Sequence, residues 1–304
     1  MTDWSNTAIP DLSGKIIIVT GASSGIGYET ALALAEKGAH VILAVRNMEK
    51  GQRAVSAIYQ AVPRASLALM MLDLSDLASI RTFAEQVNRQ YDHLDILINN
   101  AGIMIPPLQF TKDGFESQFG CNHLGHFALT GLLLDRLKAA PSSRVVTVSS
   151  LAAHHGRIDF DNLDGKRGYK AIDFYGQSKL ANMLFARELN QKLAADYCDT
   201  ISVTCHPGFA QSNLFSRGSG GKANPLLRFL QNRVSQPASM GALPTLFAAT
   251  EPGLKGGQYI GPDGPKKRKG YPKEDDIINE IYDEKVAAKL WQISEELTGV
   301  SYLS

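Results

Sequence analysis

Hydrophobic residues follow two rhythms along the first two-thirds of the chain. Runs that are apolar at almost every position, and rich in β-branched residues, occupy residues 15–20, 41–45, 67–72, 94–98, 144–148 and 201–205. Between them, apolar residues recur three and four apart. That spacing predicts helices over 25–37, over 48–61, from a cap at Ser75 to about 90, over most of 113–139 and over 175–193. Gly38 follows the first helix where a C-terminal cap is expected. Strands without polar alternation are buried on both faces, as in a parallel sheet covered by helices. Right-handed crossovers then give an α/β fold, a doubly wound parallel sheet of the Rossmann type.

The rhythm loosens after Pro207. Residues 209–237 mix glycines, arginines and apolar side chains, and read as an active-site flap with one short helix. A helix over 238–250, a last strand over 256–260 and a closing helix over 283–297 complete the pattern. No repeat or linker divides the chain, so we expect a single domain over 14–304 behind a lead at 1–13.

A chain of 304 residues buries roughly three-quarters of its unfolded surface and needs no disulfide or metal staple. Lys plus Arg is 31 and Asp plus Glu is 30, a net charge of +1. That balance argues against a general nucleic-acid binder. The three cysteines form no CxxC pair, the first residues lack a signal-peptide pattern, and no stretch approaches the ~20 apolar residues of a membrane span. We therefore expect a cytoplasmic protein with no integral membrane segment, and leave a homo-oligomer open. One basic run, Lys266-Lys267-Arg268-Lys269, reads either as a targeting signal or as a solvated loop.

Candidate chemistry begins after the first strand. In Thr20-Gly21-Ala22-Ser23-Ser24-Gly25-Ile26-Gly27, three glycines permit a tight turn and close approach of backbone to a pyrophosphate on a helix N-terminus. Alone, it is also an ordinary strand-to-helix turn. The second strand ends in Val45-Arg46 rather than in an acidic residue. An arginine fork suits a 2′-phosphate; a solvated strand-end arginine is the plain alternative. Asp73 can accept from an adenine amine or serve the turn before Ser75.

Tyr175 and Lys179 are four apart and share a helix face. An ammonium ~4 Å from a phenolate gains about 4 kcal/mol at an effective dielectric of 20, before desolvation. That attraction would bring the phenol toward working pH, although such a spacing also arises by chance on surfaces. Ser149 and Ser150 end the fifth strand, where open α/β sheets place their ligand crevice.

Taken together, Thr20-Gly21-x-x-x-Gly25-x-Gly27, Asn99-Asn100-Ala101-Gly102, Asn122, Ser150, Tyr175-x-x-x-Lys179 and Pro207-Gly208 resemble the short-chain dehydrogenase/reductases, in that family's order, over about 14–250. Arg46-Asn47, Asn122-His123-Leu124-Gly125-His126-Phe127, His206-Pro207-Gly208 and the Leu290-Trp291-x-x-Ser294 tail are similar to its retinol-dehydrogenase-like branch. The resemblance implies hydride transfer between a carbonyl or alcohol and a nicotinamide dinucleotide, for which Arg46 and Val45 lead us to expect NADP(H), with NAD less favoured. It makes Tyr175 the acid/base, Lys179 the group that tunes it and holds the nicotinamide ribose, Ser150 the group orienting the reacting oxygen, and Asn122 the support of a proton relay. It places the cofactor against Gly21, Ser23, Ser24, Gly25, Ile26 and Gly27. Arg46, Asp73, Leu74, Asn99, Ala101 and Gly102 follow, then Tyr175, Lys179, Pro207, Gly208 and Ser212. Ser212 stands where the family often has Thr. Many anchored members begin with an apolar segment that is not found here, so retinoid metabolism is not implied.

Other chemistry has little support. His123 with His126, and His154 with His155, lack a third ligand at metal spacing; neither a GxSxG elbow nor a P-loop is present. Two further readings stay open. One is a dinucleotide-sensing regulator without turnover, and the other is a light-driven tetrapyrrole reductase, which shares the Tyr/Lys logic.

Overall fold

The structure, a computed structural model, describes residues 3–210 and 235–302. Ser212 and most of the expected 209–237 flap lie outside the described residues. Eight strands form one sheet: β1 (Ile16–Thr20), β2 (His40–Val45), β3 (Ser66–Met71), β4 (Ile96–Asn99), β5 (Arg144–Val148), β6 (Ile201–Cys205), β7 (Tyr259–Pro262) and β8 (Pro272–Glu274). Their order is β3-β2-β1-β4-β5-β6-β7-β8, parallel throughout except for antiparallel β8. Among the described residues the α-helices are α1 (Gly25–Glu36), α2 (Met48–Ala61), α3 (Leu77–Gln90), α4 (Ser117–Phe119), α5 (Gly125–Leu132), α6 (Leu134–Lys138), α7 (Ala171–Ala195), α8 (Ala238–Thr250), α9 (Ile277–Ile281) and α10 (Glu284–Thr298).

Side chains alternate across the strands and so feed two layers. Ile17, Val19, Val41 and Leu43 pack with Leu34 of α1 and Leu246 of α8. Ile18, Ile42 and Leu97 pack with Phe83 of α3 and Leu189 of α7. The chain order reverses between β1 and β4, which opens a crevice at the strand C-termini.

The C-terminal helix is clipped to this core. His123 Nε2 donates to Ser294 Oγ at 2.8 Å, since the Ser294 hydroxyl itself donates to the Leu290 carbonyl. Phe127 stands 5.2 Å from Trp291 and 4.8 Å from Tyr302, ring centre to ring centre. The N-terminal lead also packs inward: Ile9 and Leu12 are buried, and Trp4 Nε1 donates to Glu251 Oε2 at 2.9 Å.

Three expectations shift. The helix expected over 113–139 is broken into α4, a π-helical turn (Gly120–Leu124), α5 and α6. A Cβ on Gly125 would lie 2.7 Å from the Leu74 carbonyl oxygen, so glycine lets this segment press against the β3–α3 loop. Asp76, not Ser75, caps α3, accepting from the N–H groups of Ala78 and Ser79. The strand expected over 256–260 runs instead over Tyr259–Pro262, where β8 pairs with it.

Candidate active site

The strand C-termini open into one cleft of about 880 Å³. At its centre is the turn after β1. Gly21 and Gly25 have φ of +71° and +60°, a region that L side chains seldom adopt. A Cβ on Gly27 would lie 2.6 Å from the Gly21 carbonyl oxygen and 2.5 Å from Asn100 Nδ2. The turn therefore forbids side chains where the backbone must close. Ser24 holds extended backbone at the N-cap of the twelve-residue α1, and the first turn of α1 contains no acidic residue. The helix N-terminus thus faces the cleft without a resident anion.

To one side of this turn, exposed Arg46 follows β2, and Asn47 caps α2 by accepting from the Lys50 N–H at 2.8 Å. That cap brings Lys50 to the cleft beside Arg46. Val45 is buried and presents no acceptor there. Asp73 and Leu74 line the same end, with Asp73 Oδ1 already accepting from Ser75 N and Oγ at 3.0 and 2.7 Å.

The wall between β1 and β4 is built on Thr20. Its Oγ1 accepts from the N–H groups of Asn100 and Ala101 at 2.9 and 3.0 Å. His126 Nδ1 donates to the Asn122 carbonyl at 2.9 Å, which fixes the tautomer and leaves Nε2 an acceptor 3.0 Å from Thr20 Oγ1, whose one proton it shares with the Ile98 carbonyl at 3.2 Å. Burial pushes His126 down to about 4, so this bridge works with a neutral imidazole. Asn122 itself is enclosed: Oδ1 accepts from Ile103 N at 2.8 Å, and Nδ2 donates to Ile103 O and Ser178 Oγ. Asn99 departs from expectation. Its side chain turns into the core and donates to Thr130 Oγ1 at 2.9 Å, while Asn100, one residue on, lines the cleft with Ala101 and Gly102.

On the far side, α7 presents Tyr175 and Lys179 to the cleft floor. The two serines after β5 part company. Ser149 Oγ donates to the Lys179 carbonyl at 2.7 Å and holds α7 down. Ser150 Oγ accepts from Ala152 N at 3.2 Å and faces the Tyr175 phenol. Lys179 Nζ donates to the Val148 carbonyl at 3.1 Å and stands 6.0 Å from the Tyr175 ring centre. The expected lowering of the phenol is therefore absent in this arrangement. Burial pushes Tyr175 up and only the Ser150 hydroxyl opposes it, while burial pushes Lys179 down to about 8. Gly102 brings the wall close to this pair: a Cβ there would meet Asn122 Oδ1 at 3.1 Å and Lys179 Nζ at 3.5 Å.

Pro207 and Gly208 close the cleft after β6. Gly208 has φ +62°, and its N–H donates to His206 Nδ1 at 3.2 Å. The proton of His206 is then on Nε2, 3.7 Å from Asp275 Oδ2. Sequence reasoning passed over Lys50, Asn100, Asp275 and the structural roles of His126 and His206. The spacing of His126 four residues after Asn122 was the available signal. Among the described residues, no group of three or more His, Cys, Asp or Glu is placed to hold a metal.

Comparison with known proteins agrees with this geometry. Residues 15–218 match the family described as short chain dehydrogenase. Retinol dehydrogenase 12 of Mus musculus is 40% identical, over 98% of this chain and 90% of that protein. A solved structure of an uncharacterized protein from Mycobacterium paratuberculosis is 38% identical, with a TM-score of 0.82 and 100% of both chains covered. A short chain dehydrogenase from Escherichia coli CFT073, solved complexed with NADPH, is 25% identical, with a TM-score of 0.63 over 82% of this chain and 96% of that one.

Proposed function

This chain belongs to the short-chain dehydrogenase/reductase family, in its retinol-dehydrogenase-like branch, and we propose that it transfers hydride between NADP(H) and the carbonyl or alcohol of a bulky lipophilic substrate. Its oxidoreductase character, hydride transfer at an alcohol/carbonyl carbon, comes with the family. The observation that carries the finer reading is a single cleft with Tyr175, Ser150 and Lys179 on its floor and Arg46 with Lys50 at its adenosine end.

The residues fit a nicotinamide dinucleotide. Gly21 before α1 and Gly25 and Gly27 in its first turn leave side-chain-free surface at a helix N-terminus without a side-chain cap, which suits a diphosphate. Arg46 and Lys50 suit a 2′-phosphate, and buried Val45 gives a bare ribose hydroxyl no acceptor. The E. coli relative solved with NADPH supports the same preference. The bound dinucleotide supplies the hydride. Tyr175, held protonated by burial, donates a proton to the carbonyl oxygen during reduction. Ser150 donates a hydrogen bond to that same oxygen, since its own Oγ already accepts from Ala152. Lys179, fixed by Val148 and Ser149, lies beside Asn122 and Gly102, where it can return a proton toward the phenol.

Ile105 and Ile172 line the cleft although 37% and 54% exposed, and Met104, Leu151 and Phe209 extend that apolar wall. Such walls hold apolar substrates. No helix among the described residues is long and apolar enough to cross a membrane, and we place the protein in the cytoplasm on its three free cysteines. The test is NADPH and NADH consumption over carbonyls from glyceraldehyde to decanal. We expect NADPH oxidation, with kcat/KM at least tenfold higher for decanal. Equal kcat/KM for the two carbonyls contradicts the lipophilic pocket. Tight NADPH binding with no turnover of any carbonyl contradicts the enzyme and favours a dinucleotide sensor.

A further inference from the structure

The basic run at 266–269, which the reaction just described does not use, folds onto the cleft. The segment between β7 and β8 is a tight hairpin. Asp263 N donates to Tyr271 O at 2.8 Å, Gly264 N to Lys269 O at 2.9 Å, and Lys267 N to Gly264 O at 2.9 Å. Lys266 and Lys267 both hold left-handed backbone, with φ of 55° and 56°. Consecutive non-glycine residues in that region persist only where the surroundings impose them.

The hairpin is tied to the turn that closes the active site. Phe209 N donates to Arg268 O at 2.7 Å. Gln236 bridges the rest: its Nε2 donates to Pro207 O at 3.0 Å, and its Oε1 accepts from Gly270 N at 3.1 Å. The cations of the hairpin then divide. The charge of Lys267 acts inward, on His206 and Asp275. Lys266 and Arg268 are exposed and line the cleft, with the Arg268 guanidinium 5.0 Å from the Phe209 ring centre. Neither is ion-paired to a described carboxylate.

We propose that Lys266 and Arg268 form an anion subsite at the substrate end of the cleft, taking the carboxylate of an amphipathic carbonyl or alcohol whose apolar body lies along Ile105, Ile172 and Phe209. The inference rests on the oxidoreductase reading above and narrows its substrate class. Position argues for substrate over cofactor. Strand β7 is five strand spacings from β2, after which Arg46 stands, and four from β1, after which the glycine turn begins. At ~4.8 Å per strand these are roughly 24 Å and 19 Å. The 2′-phosphate suited to Arg46 thus lies at the far end of the cleft from the hairpin, which is tied to the turn at Pro207 and Phe209 and shares the cleft lining with Ser150 and Tyr175. Exposed ammonium and guanidinium groups attract a carboxylate in a salt-dependent way, and a guanidinium stacked on a ring is already oriented for it.

The experiment compares 10-oxodecanoate with its methyl ester, at saturating NADPH and low ionic strength. The proteins are the wild type, a Lys266→Gln/Arg268→Gln double variant and Arg268→Lys. We expect the wild type to favour the acid by about tenfold in kcat/KM, through KM, and to lose most of that preference at ~0.5 M salt. In the double variant the acid should fall about tenfold, with the ester and the NADPH Kd unchanged. Arg268→Lys should keep most of the preference. Equal kcat/KM for acid and ester in the wild type overturns the proposal, as does a double variant that loses NADPH affinity in parallel. Titration of the NADPH complex with decanoate and with methyl decanoate reads the subsite without turnover. Preferential decanoate binding with no NADPH oxidation would sink the reductase reading and keep the subsite; NADPH oxidation with equal binding of both would do the reverse.

Discussion

Arg46 and Lys50 reach one end of the cleft from exposed positions, whereas Tyr175 and Lys179 at the other end are almost wholly enclosed. At the exposed end, local sequence places each group: a strand terminus presents Arg46, and the Asn47 cap sets the start of α2 and with it Lys50. At the enclosed end, placement depends on contacts across the fold, such as Val148 to Lys179, Ser149 to the α7 backbone, and Thr20 through His126 to Asn122. Electrostatics differ accordingly. Desolvation governs the enclosed groups, raising the phenol and lowering the amine and the imidazole, while solvent and salt screen the exposed cations. Changes at the enclosed end should therefore be large and coupled, and changes at the exposed end modest and selective.

The largest expected effect that sharpens this contrast is Lys179→Ala. It removes a buried amine that the proposed reaction uses in its proton path and that lies against Gly102. We expect kcat to fall at least 10²-fold and NADPH affinity to fall with it, read by steady-state kinetics and by cofactor titration. An effect on only one of the two would break the coupling claimed for the enclosed end.

Next is Thr20→Val, which keeps the shape but removes the hydroxyl. The Ala101 N–H and His126 Nε2 lose their partner together, while the Asn100 N–H keeps the Ile98 carbonyl at 3.0 Å. At about 1–3 kcal/mol for an unsatisfied buried group, we expect at least ~2 kcal/mol of lost stability in denaturant unfolding. A near-neutral substitution would show that the hub does not carry the β1–β4 wall.

At the exposed end, Arg46→Ala should weaken NADPH binding roughly 10- to 150-fold and leave NADH almost unchanged. The wild-type preference should shrink as salt rises. Parallel loss of both cofactors would contradict the phosphate-binding role.

The smallest effect concerns pH. His126 and His123 are pushed down by burial to about 4 and about 3, from an ordinary 6.5. The unfolded chain binds their protons below about 6.5 and the folded protein does not until near 4. Stability therefore falls as pH drops through that window. Each histidine should contribute about 1 kcal/mol per pH unit, or roughly 2 °C in Tm. His126→Gln should make the Tm profile between pH 6.5 and 4 shallower by that one contribution, with His123, His206, His154 and His40, all lowered by burial, keeping the remainder; an unchanged slope would place the acid sensitivity elsewhere.

The same contrast explains what was legible in the sequence. Strands β1 to β6, the glycine turn and the Tyr175/Lys179 helix carry their signals within a few residues, so periodicity and spacing locate them. The break of the 113–139 segment depends on how closely Gly125 approaches Leu74, and no local pattern encodes that contact. Asn99 and Asn100 are neighbours with opposite fates, because successive residues of a strand and its extension point to opposite faces. The phenol is raised rather than lowered, because Lys179 is anchored to Val148 and burial dominates at Tyr175. The basic run looked like a solvated loop because its ties to Pro207, Phe209 and Gln236 cross long stretches of chain.

In the proposed reaction Tyr175 delivers the proton at the enclosed end. Single-turnover oxidation of pre-bound NADPH by a lipophilic aldehyde, followed by nucleotide absorbance in the wild type and in Tyr175→Phe, tests it most directly. The account predicts a rate at least 10²-fold slower in Tyr175→Phe, with the NADPH Kd and Tm little changed. A Tyr175→Phe protein that oxidises NADPH at close to the wild-type rate would contradict it.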